Sequence, residues 1–520
     1  MKASRIASHT RSLIDIPPEA ICNYLNIDEL NMLRRTHPSF AKRFCDNSSP
    51  IIHLFHPSSS ITDNTKILHQ YPKAKLIIHP SEFTKTYVEK LTILTNIISL
   101  DLSGYGVLSG YGVLRRDISA MINLTSLCLS TTTAGMLENM TQLLELSLSS
   151  NSIIKGTTLQ KLTNLRKLSL EENNNLTDID IICLPLCSLS LLRNTSIGPL
   201  VLKQLNLTHL DIEYSMPTMT TELIDCPTLT DLRYAYSVRN NIDWEIVGRM
   251  ASSLRKLTSD YHYFKDARLL TNLTWLLLKN IKGDFEFSSL GSLETLIIAG
   301  STYRSDLRFP SGPLDNLSHL EICNYAELNV KFLKNLTYLD IGIYQLPKNE
   351  ELGELKKLKT LIVGPSGDSY LRRRDARFQI DISSLSSLIT LKFLFCKSFD
   401  FIRGEDGIIS HSLEDLSIII ADSNIEDSSL IAIPNLKYLS ISRRYSYSRP
   451  EFTRACFLSL HKLFVLRIYK DDLEDAECIA ALVNKGIVIK NCEKLEWFEI
   501  SQRYGVLYEG VICDMRRYGN

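Results

Sequence analysis

The chain has 520 residues, of which 44% are hydrophobic and 22% charged, proportions that are ordinary for a soluble globular protein. Its 58 lysines and arginines balance 58 aspartates and glutamates, which argues against a dedicated nucleic-acid-binding protein and against an acidic disordered chain. No apolar run reaches the ~18 residues of a membrane-spanning helix, and the start lacks the apolar segment of a secretory signal. Because the 12 cysteines are scattered, we expect reduced thiols in the cytoplasm or nucleus and no membrane partner.

The first 48 residues predict a small helical module. A proline at position 17 suits a helix start, and Ile21 and Leu25 then follow at helical spacing. Asp28 can cap a second helix that includes Leu30. A core of this size gives little stability alone, so we expect the module to dock on the rest of the chain or on a partner.

From Ile97 to Leu495 one pattern recurs, L-x-x-L-x-[L/I/V/F], in copies such as LTSLCL, LTWLLL and LTYLDI. About 18 copies follow one another at a mean spacing of about 23 residues, and they resemble leucine-rich repeats, whose period is 20–29 residues. Side chains alternate along a strand, so the fourth and sixth residues face one core. The predicted fold class is therefore α/β, a horseshoe solenoid with parallel strands on its concave face and a small helical module before it.

Asparagines recur at two places in the repeat. The asparagine typical of its ninth position stands at Asn151, Asn173 and Asn194, where we expect buried side-chain hydrogen bonds. Tripeptides of the type N-x-S/T, such as Asn272-Leu-Thr and Asn335-Leu-Thr, would be glycosylation sites in a secreted protein. Here they recur because the repeat recurs.

The predicted boundaries are 1–48 for the helical module, 49–90 for a linker and the N-terminal cap, and 91–520 for the repeats. The C-terminal cap falls at about 470–520, because a solenoid must cover its open core. Within it, acidic residues at the start of Asp471–Lys485 and a glycine after it predict a helix. Between Leu358 and Leu388 the spacing is long, and Gly364 with the proline after it predicts a protruding loop.

The N-terminal module resembles an F-box in Ile16-Pro17-Pro18-Glu19, Tyr24-Leu25 and Asp28-Glu29-Leu30. Since repeats follow it, the chain as a whole resembles an F-box/leucine-rich-repeat protein, the substrate receptor of an SCF-type ubiquitin ligase. The resemblance implies that the module binds a Skp-type adaptor and that the repeats bind a protein substrate. The residues it implies for adaptor binding are Ile16, Pro17, Pro18, Glu19, Ile21, Leu25, Leu30 and Leu33. A leucine-rich-repeat scaffold or a structural assembly protein without a ligase role stays an open alternative.

Residues between the leucines are expected on the concave surface, at the third, fifth and seventh positions of each unit. Early units carry small polar residues there, whereas the middle units carry large apolar and aromatic ones, which are favoured in binding sites. The fifth positions of the middle units include Ile362. The predicted substrate-binding residues are Trp275, Leu277, Ile297, His319, Tyr338 and Tyr438. In the alternative interpretation, a loop or a neighbouring chain covers these side chains.

The sequence contains no motif of catalysis. It lacks the phosphate-binding G-x-x-x-x-G-K-[ST], the nucleophile elbow G-x-S-x-G and the zinc-binding H-E-x-x-H. The spacing of Cys183 and Cys187 is wrong for a zinc ribbon, and no second pair follows. We therefore predict no catalytic residue, no metal and no cofactor, and a protein that is not an enzyme.

Overall fold

The computed structural model describes the chain in segments separated by gaps. They are 51–54, 75–78, 97–102, 121–129, 137–149, 154–213, 226–235, 252–260, 269–279, 287, 289–299, 307–308, 314–322, 326–328, 330–342, 346–364, 377–396, 398–420, 427–443, 454–468, 485 and 487–491. The predicted helical module of residues 1–48 lies outside the described residues, and so does the predicted helix 471–485 except for its last residue.

The chain divides into two compact units, and the first spans Met1–Leu229. In its described part, parallel strands pair with one another in chain order. These strands are β1 (Ile51–Leu54), β2 (Lys75–Ile78), β3 (Ile97–Leu102), β4 (Ser126–Leu129), β5 (Glu145–Ser147), β6 (Lys167–Ser169), β7 (Ser188–Ser190) and β8 (His209–Asp211). β1 and β2 lie within the predicted linker and cap of residues 49–90, so parallel pairing begins before the first repeat that the leucine pattern identifies.

The second unit spans Thr230–Asn520. Its strands are β9 (Asp231–Ala235), β10 (Lys256–Asp260), β11 (Trp275–Lys279), β12 (Thr295–Ala299), β13 (Leu307–Arg308), β14 (His319–Ile322), β15 (Ala326–Glu327), β16 (Tyr338–Gly342), β17 (Thr360–Gly364), β18 (Arg377–Ile380), β19 (Thr390–Cys396), β20 (Ser398–Phe401), β21 (Asp415–Ile420), β22 (Tyr438–Arg443), β23 (Val465–Ile468) and β24 (Val488–Asn491). Parallel pairing runs β9–β10–β11–β12–β14–β16–β17–β19–β21–β22–β23–β24. β13 pairs with β15 and β18 with β20, each as a separate parallel pair. The predicted solenoid of parallel strands is confirmed.

The described helices are short and lie in the segments that return from one strand to the next. They are α1 (Gly156–Leu159), α2 (Asp178–Ile181), α3 (Pro199–Leu202), α4 (Asn349–Leu352), α5 (Asp427–Ile431) and α6 (Arg454–Ser459). Proline opens α3, where its missing N–H would have no helical partner. Within the described residues no helix is long and apolar enough to span a membrane.

The core follows the leucine positions of each repeat. In β11 and the residues before it, Leu273, Leu276 and Leu278 are buried, whereas Trp275 and Leu277 between them are half-buried. Each fully buried leucine contributes roughly 1.5–3 kcal/mol relative to exposure. A strand of this length buries too little surface to be stable alone, so each repeat depends on its neighbours.

The Asn-Leu-Thr tripeptides join consecutive repeats through both polar side chains. Asn272 donates its Nδ2 to a backbone carbonyl of the preceding repeat at 3.4 Å, and Thr274 donates its Oγ1 to another at 3.2 Å. Asn335 and Thr337 make the same two contacts at 2.6 and 3.0 Å. The tripeptide therefore recurs because its side chains satisfy backbone carbonyls at the strand entry of the preceding repeat.

Where the structure describes them, the ninth-position asparagines make the predicted buried hydrogen bonds, and these bonds join consecutive repeats. Asn173 and Asn194 are buried and donate Nδ2 to backbone carbonyls of the preceding repeat, at 3.4 Å to Leu148 and 3.2 Å to Leu170. Asn151 lies outside the described residues. Buried amides of this kind supply partners that the turn backbone would otherwise lack.

Candidate functional site

The register of the second unit places the third-position side chains in one row across the sheet, on the face opposite the leucine core. Trp275 pairs with Thr295, Thr295 with His319, and His319 with Tyr338. The sequence-based register is therefore confirmed for these strands. Adjacent strands lie ~4.8 Å apart, so the side chains of neighbouring repeats form a continuous surface.

The fifth position adds a second row to this surface. Leu277 in β11 pairs directly with Ile297 in β12, and both are half-buried like Trp275. We call these three residues the apolar face. They combine a large aromatic ring with two aliphatic side chains, and each keeps part of its surface accessible.

His319 and Tyr338 form the adjacent part of the surface, which we call the aromatic stack. Their ring centroids are 4.0 Å apart and the rings are nearly parallel, at 7°. His319 donates its Nε2–H to Glu321 Oε1 at 2.8 Å, and both side chains are about one-third or less exposed. The carboxylate and the stacked ring together fix the orientation of the imidazole. Five of the six predicted substrate-binding residues thus lie on four neighbouring strands.

The face is covered at β17, contrary to the expectation of an open surface at Ile362. Leu361 and Val363 hold the core positions of this strand, so Ile362 points to the opposite face, yet it is only 2% exposed. It packs with Leu394 and Ile419, and the half-buried Tyr338 packs against this cluster. The side chains that cover Ile362 belong to the next two strands of the sheet, β19 and β21.

Tyr438, the sixth predicted residue, lies away from the others. It belongs to β22, four strand steps from Tyr338 in β16, or ~19 Å at the usual strand spacing. Its side chain is 45% exposed and meets Phe464, which is 54% exposed, edge to face at 6.4 Å. Tyr438 and Phe464 thus form a separate aromatic pair.

Sequence reasoning missed a polar row beside this pair. The fifth positions of β19, β21, β22 and β23 carry Lys392, Ser417, Ser440 and Arg467, which face one another in register. All four side chains are half-buried. We call them the basic row. The signal in the sequence is the change from apolar to basic and small polar residues at the fifth position of the later repeats.

Asp415 lies two residues before Ser417 on the same face of β21. Burial raises the pKa of its carboxyl, and the charges of Lys392 and Arg467 act in the opposite direction. Both cations are therefore near enough to interact with this carboxylate. Asp415 thus adds a negative charge beside the basic row.

The predicted adaptor-binding residues from Ile16 to Leu33 lie outside the described residues, and their role stays a prediction. Among the residues that the structure describes, no group of three or more His, Cys, Asp and Glu side chains could hold a metal ion. Cys456 is buried, which together with Asp427 raises the pKa of its thiol to about 12. Such a thiol stays protonated and is a poor nucleophile.

Among solved structures, 138 chains are similar to this one. No protein-family model and no curated protein matches the sequence. The chain is similar to an internalin from Listeria monocytogenes str. 4b F2365, with 22% sequence identity over 72% of this chain and 87% of that one, and a TM-score of 0.31. The assignment of the fold therefore rests on the repeat and on the strand register. The repeat has the period of leucine-rich repeats and its strands pair in parallel, so the fold is of the leucine-rich-repeat type.

Proposed function

We propose that the chain is a protein-interaction module that binds a protein partner through the apolar face and the aromatic stack. The observation that carries this proposal is the register, which gathers Trp275, Leu277, Ile297, His319 and Tyr338 on neighbouring strands. Tryptophan and tyrosine supply much of the binding energy in protein interfaces when they are surrounded by apolar residues. Because these side chains are half-buried, they are already partly immobilised, and binding costs less side-chain conformational entropy.

We further propose that this module is the substrate receptor of an SCF-type ubiquitin ligase. The support is the F-box-like sequence of residues 16–30, followed by the repeats. In this role the N-terminal module binds a Skp-type adaptor, the repeats bind the substrate, and the chain itself performs no chemistry and needs no metal or cofactor. The cytoplasm or nucleus is the compartment in which such a complex would work.

The substrate side is tested with Ile297→Asp, which places a charge in the apolar face. Leu200→Asp is the matched control, because Leu200 is an exposed leucine in the short helix α3, away from the sheet face. Full-length chain and both variants are used for affinity capture, and captured proteins are identified by mass spectrometry. We expect a partner that the control retains and Ile297→Asp loses. For the purified partner we expect Kd to rise at least about 30-fold, as for loss of a hot spot of about 2 kcal/mol.

Equal capture by both variants, with unchanged thermal unfolding, would rule out the apolar face as the binding surface. The adaptor side is tested by co-purification of the full chain with a Skp-type adaptor, alongside Leu25→Asp. If the wild type does not bind the adaptor yet retains its partner, the scaffold alternative is correct. If Leu25→Asp abolishes adaptor binding and leaves partner capture intact, the receptor proposal is supported.

A further inference from the structure

We propose that the partner of the apolar face carries a basic side chain, which pairs with Glu321 while an apolar residue beside it covers Leu277 and Ile297. This inference rests on the proposed function and names the chemistry of the partner that the same surface selects. Three observations support it: the charges in the two rows, the contacts of Glu321 and the spacing of the strands.

From β11 to β17 the two rows contain carboxylates but no lysine or arginine. The third positions are Trp275, Thr295, His319, Tyr338 and Thr360, and the fifth positions are Leu277, Ile297, Glu321, Asp340 and Ile362. Just before β12, the exposed Glu294 adds a third carboxylate close to these rows. This part of the surface is therefore apolar and acidic.

The nearest cations of the described strands lie well away from Glu321. In the two rows they are Lys256 and Lys392, each three strand steps from Glu321, or ~14 Å between backbones. Lys279 at the end of β11 and Lys359 just before β17 are two steps away and also displaced along the strands, so their backbones are ~12–14 Å from Glu321. At such distances solvent and salt screen most of the attraction between exposed charges.

Glu321 keeps one carboxylate oxygen for a partner. Its Oε1 accepts the hydrogen bond from His319 Nε2–H at 2.8 Å, and within the described part of the chain no donor contacts its Oε2. A neutral imidazole can donate this bond, so the contact does not require a positive charge on His319. Asp340 pairs in register with Glu321, but it is buried and engaged in an interaction of its own, so we assign the basic side chain to Glu321 alone. The Glu321 side chain is only 25% exposed, and its charge is screened less than that of a fully exposed carboxylate.

The strand spacing suits a short extended segment that crosses the sheet. Side chains two residues apart in such a segment point the same way and lie ~6.6 Å apart. Glu321 is one strand step, ~4.8 Å, from Ile297 and two steps, ~9.6 Å, from Leu277. An apolar residue seated between Leu277 and Ile297 therefore places the residue two positions later at Glu321. The aliphatic stem of a lysine or arginine there can pack over Ile297 and His319 while its charged end reaches the carboxylate.

The test measures binding of a labelled peptide of repeated Leu-Ser-Arg-Ser units to the full-length chain by fluorescence anisotropy. Leucine and arginine share one face of this peptide, and two further peptides replace arginine by glutamine or by glutamate. The variant is Glu321→Gln, whose amide oxygen can still accept the hydrogen bond from His319. Glu294→Gln is the matched control, because it removes the same charge from an exposed carboxylate on the neighbouring strand. Thermal unfolding shows that each variant folds, and the three peptides are also compared on the unmodified chain.

We expect the unmodified chain to bind the arginine peptide at least about tenfold more tightly than the glutamine peptide, with a Kd that rises with salt. Glu321→Gln should abolish this preference and Glu294→Gln should retain it, as a direct contact requires. The glutamine peptide reports on the apolar contacts alone, so its Kd should be the same for Glu321→Gln and the unmodified chain.

The inference is overturned if the folded Glu321→Gln variant keeps the preference for arginine, or if both variants lose it equally. Binding of the glutamate peptide as tight as that of the arginine peptide would also overturn it, and so would an arginine peptide that does not bind. Partner capture by Ile297→Asp does not depend on these peptides. A failure of the basic contact is therefore distinguishable from a failure of the apolar face.

Discussion

Replacing Asn194 by alanine tests whether buried asparagines hold consecutive repeats together. The Asn194 side chain is fully buried, and its Oδ1 accepts hydrogen bonds from the backbone N–H groups of Ser196 at 3.0 Å and Ile197 at 3.1 Å. Its Nδ2 donates to the carbonyls of Leu170 and Asn173. The amide thus joins its own turn to the preceding repeat.

The magnitude follows from these four contacts. A neutral hydrogen bond contributes roughly 1 kcal/mol net, and a buried group left without a partner costs roughly 1–3 kcal/mol. Because Ile197 is itself buried, its N–H cannot turn to bulk water. We expect Asn194→Ala to destabilise this part of the first unit by about 3–5 kcal/mol.

The assay is hydrogen exchange read by mass spectrometry over peptides that cover β6 to β8. A loss of about 3 kcal/mol corresponds to a fall in protection of about two orders of magnitude where exchange occurs through local opening. Asn174→Ala is the control, because the exposed Asn174 Oδ1 accepts from Thr195 N at 2.7 Å, which water can replace. Equal losses of protection in the two variants would refute the reasoning.

Three further predictions concern single side chains. Alanine at Gly156 would bring its Cβ within 1.5 Å of Asp180 Oδ1, and we expect it to lower the free energy of unfolding by about 1–2 kcal/mol in denaturant. The loss should be smaller in an Asp180→Ala background, where only the Cβ of residue 180 remains, at 2.8 Å; an equal loss there would contradict the clash. Burial raises the pKa of Asp415, so keeping this carboxyl ionised in the folded chain lowers the free energy of unfolding. Asp415→Asn should therefore raise the free energy of unfolding at neutral pH, and the gain should shrink as pH falls through the folded-state pKa. A gain that does not change over this pH range would contradict the prediction. Maleimide labelling at mildly alkaline pH should modify the exposed Cys183 and spare Cys456, whose pKa is about 12, and equal labelling of the native chain would contradict this.

The strand register could be predicted from the sequence because leucines mark the same positions in each repeat. Trp275, His319 and Tyr338 were assigned to the third position, and the structure places them in one row. Period-two alternation then fixes which face each neighbour occupies. The same reasoning placed Leu277 opposite Ile297 without any knowledge of the return segments.

Coverage of that face could not be predicted in the same way. Alternation gives the side of the strand on which Ile362 lies, but not what packs upon that side. A signal was present, because Leu394 and Ile419 also place apolar side chains at surface positions of nearby repeats. Several apolar residues at such positions can form a covered cluster as well as an open binding site, and only the burial distinguishes them.

The backbone conformation just before the ninth-position asparagines could not be predicted from the sequence, for a different reason. Glu172 and Arg193, each just before a ninth-position asparagine, have positive φ angles of 55° and 53°. Glycine or asparagine would signal that conformation, whereas glutamate and arginine rarely adopt it. The two side chains form an ion pair at 2.7 Å, but it is exposed and contributes little. The buried hydrogen bonds of Asn173 and Asn194 support this turn geometry. So do the backbone N–H groups of Glu172 and Arg193, which donate to carbonyls of the next repeat at 2.9 and 3.0 Å.

The zero net charge of the chain conceals an ordered distribution of charge across the second unit. Along the fifth-position row, the apolar Leu277 and Ile297 are followed by Glu321 and the buried Asp340, then by the covered Ile362, and then by the basic row. A partner segment that crosses these strands meets acidic and basic side chains in a fixed order. An acidic group on such a segment would be repelled at Glu321 and attracted at Lys392, so both contacts would discriminate between the two directions of binding.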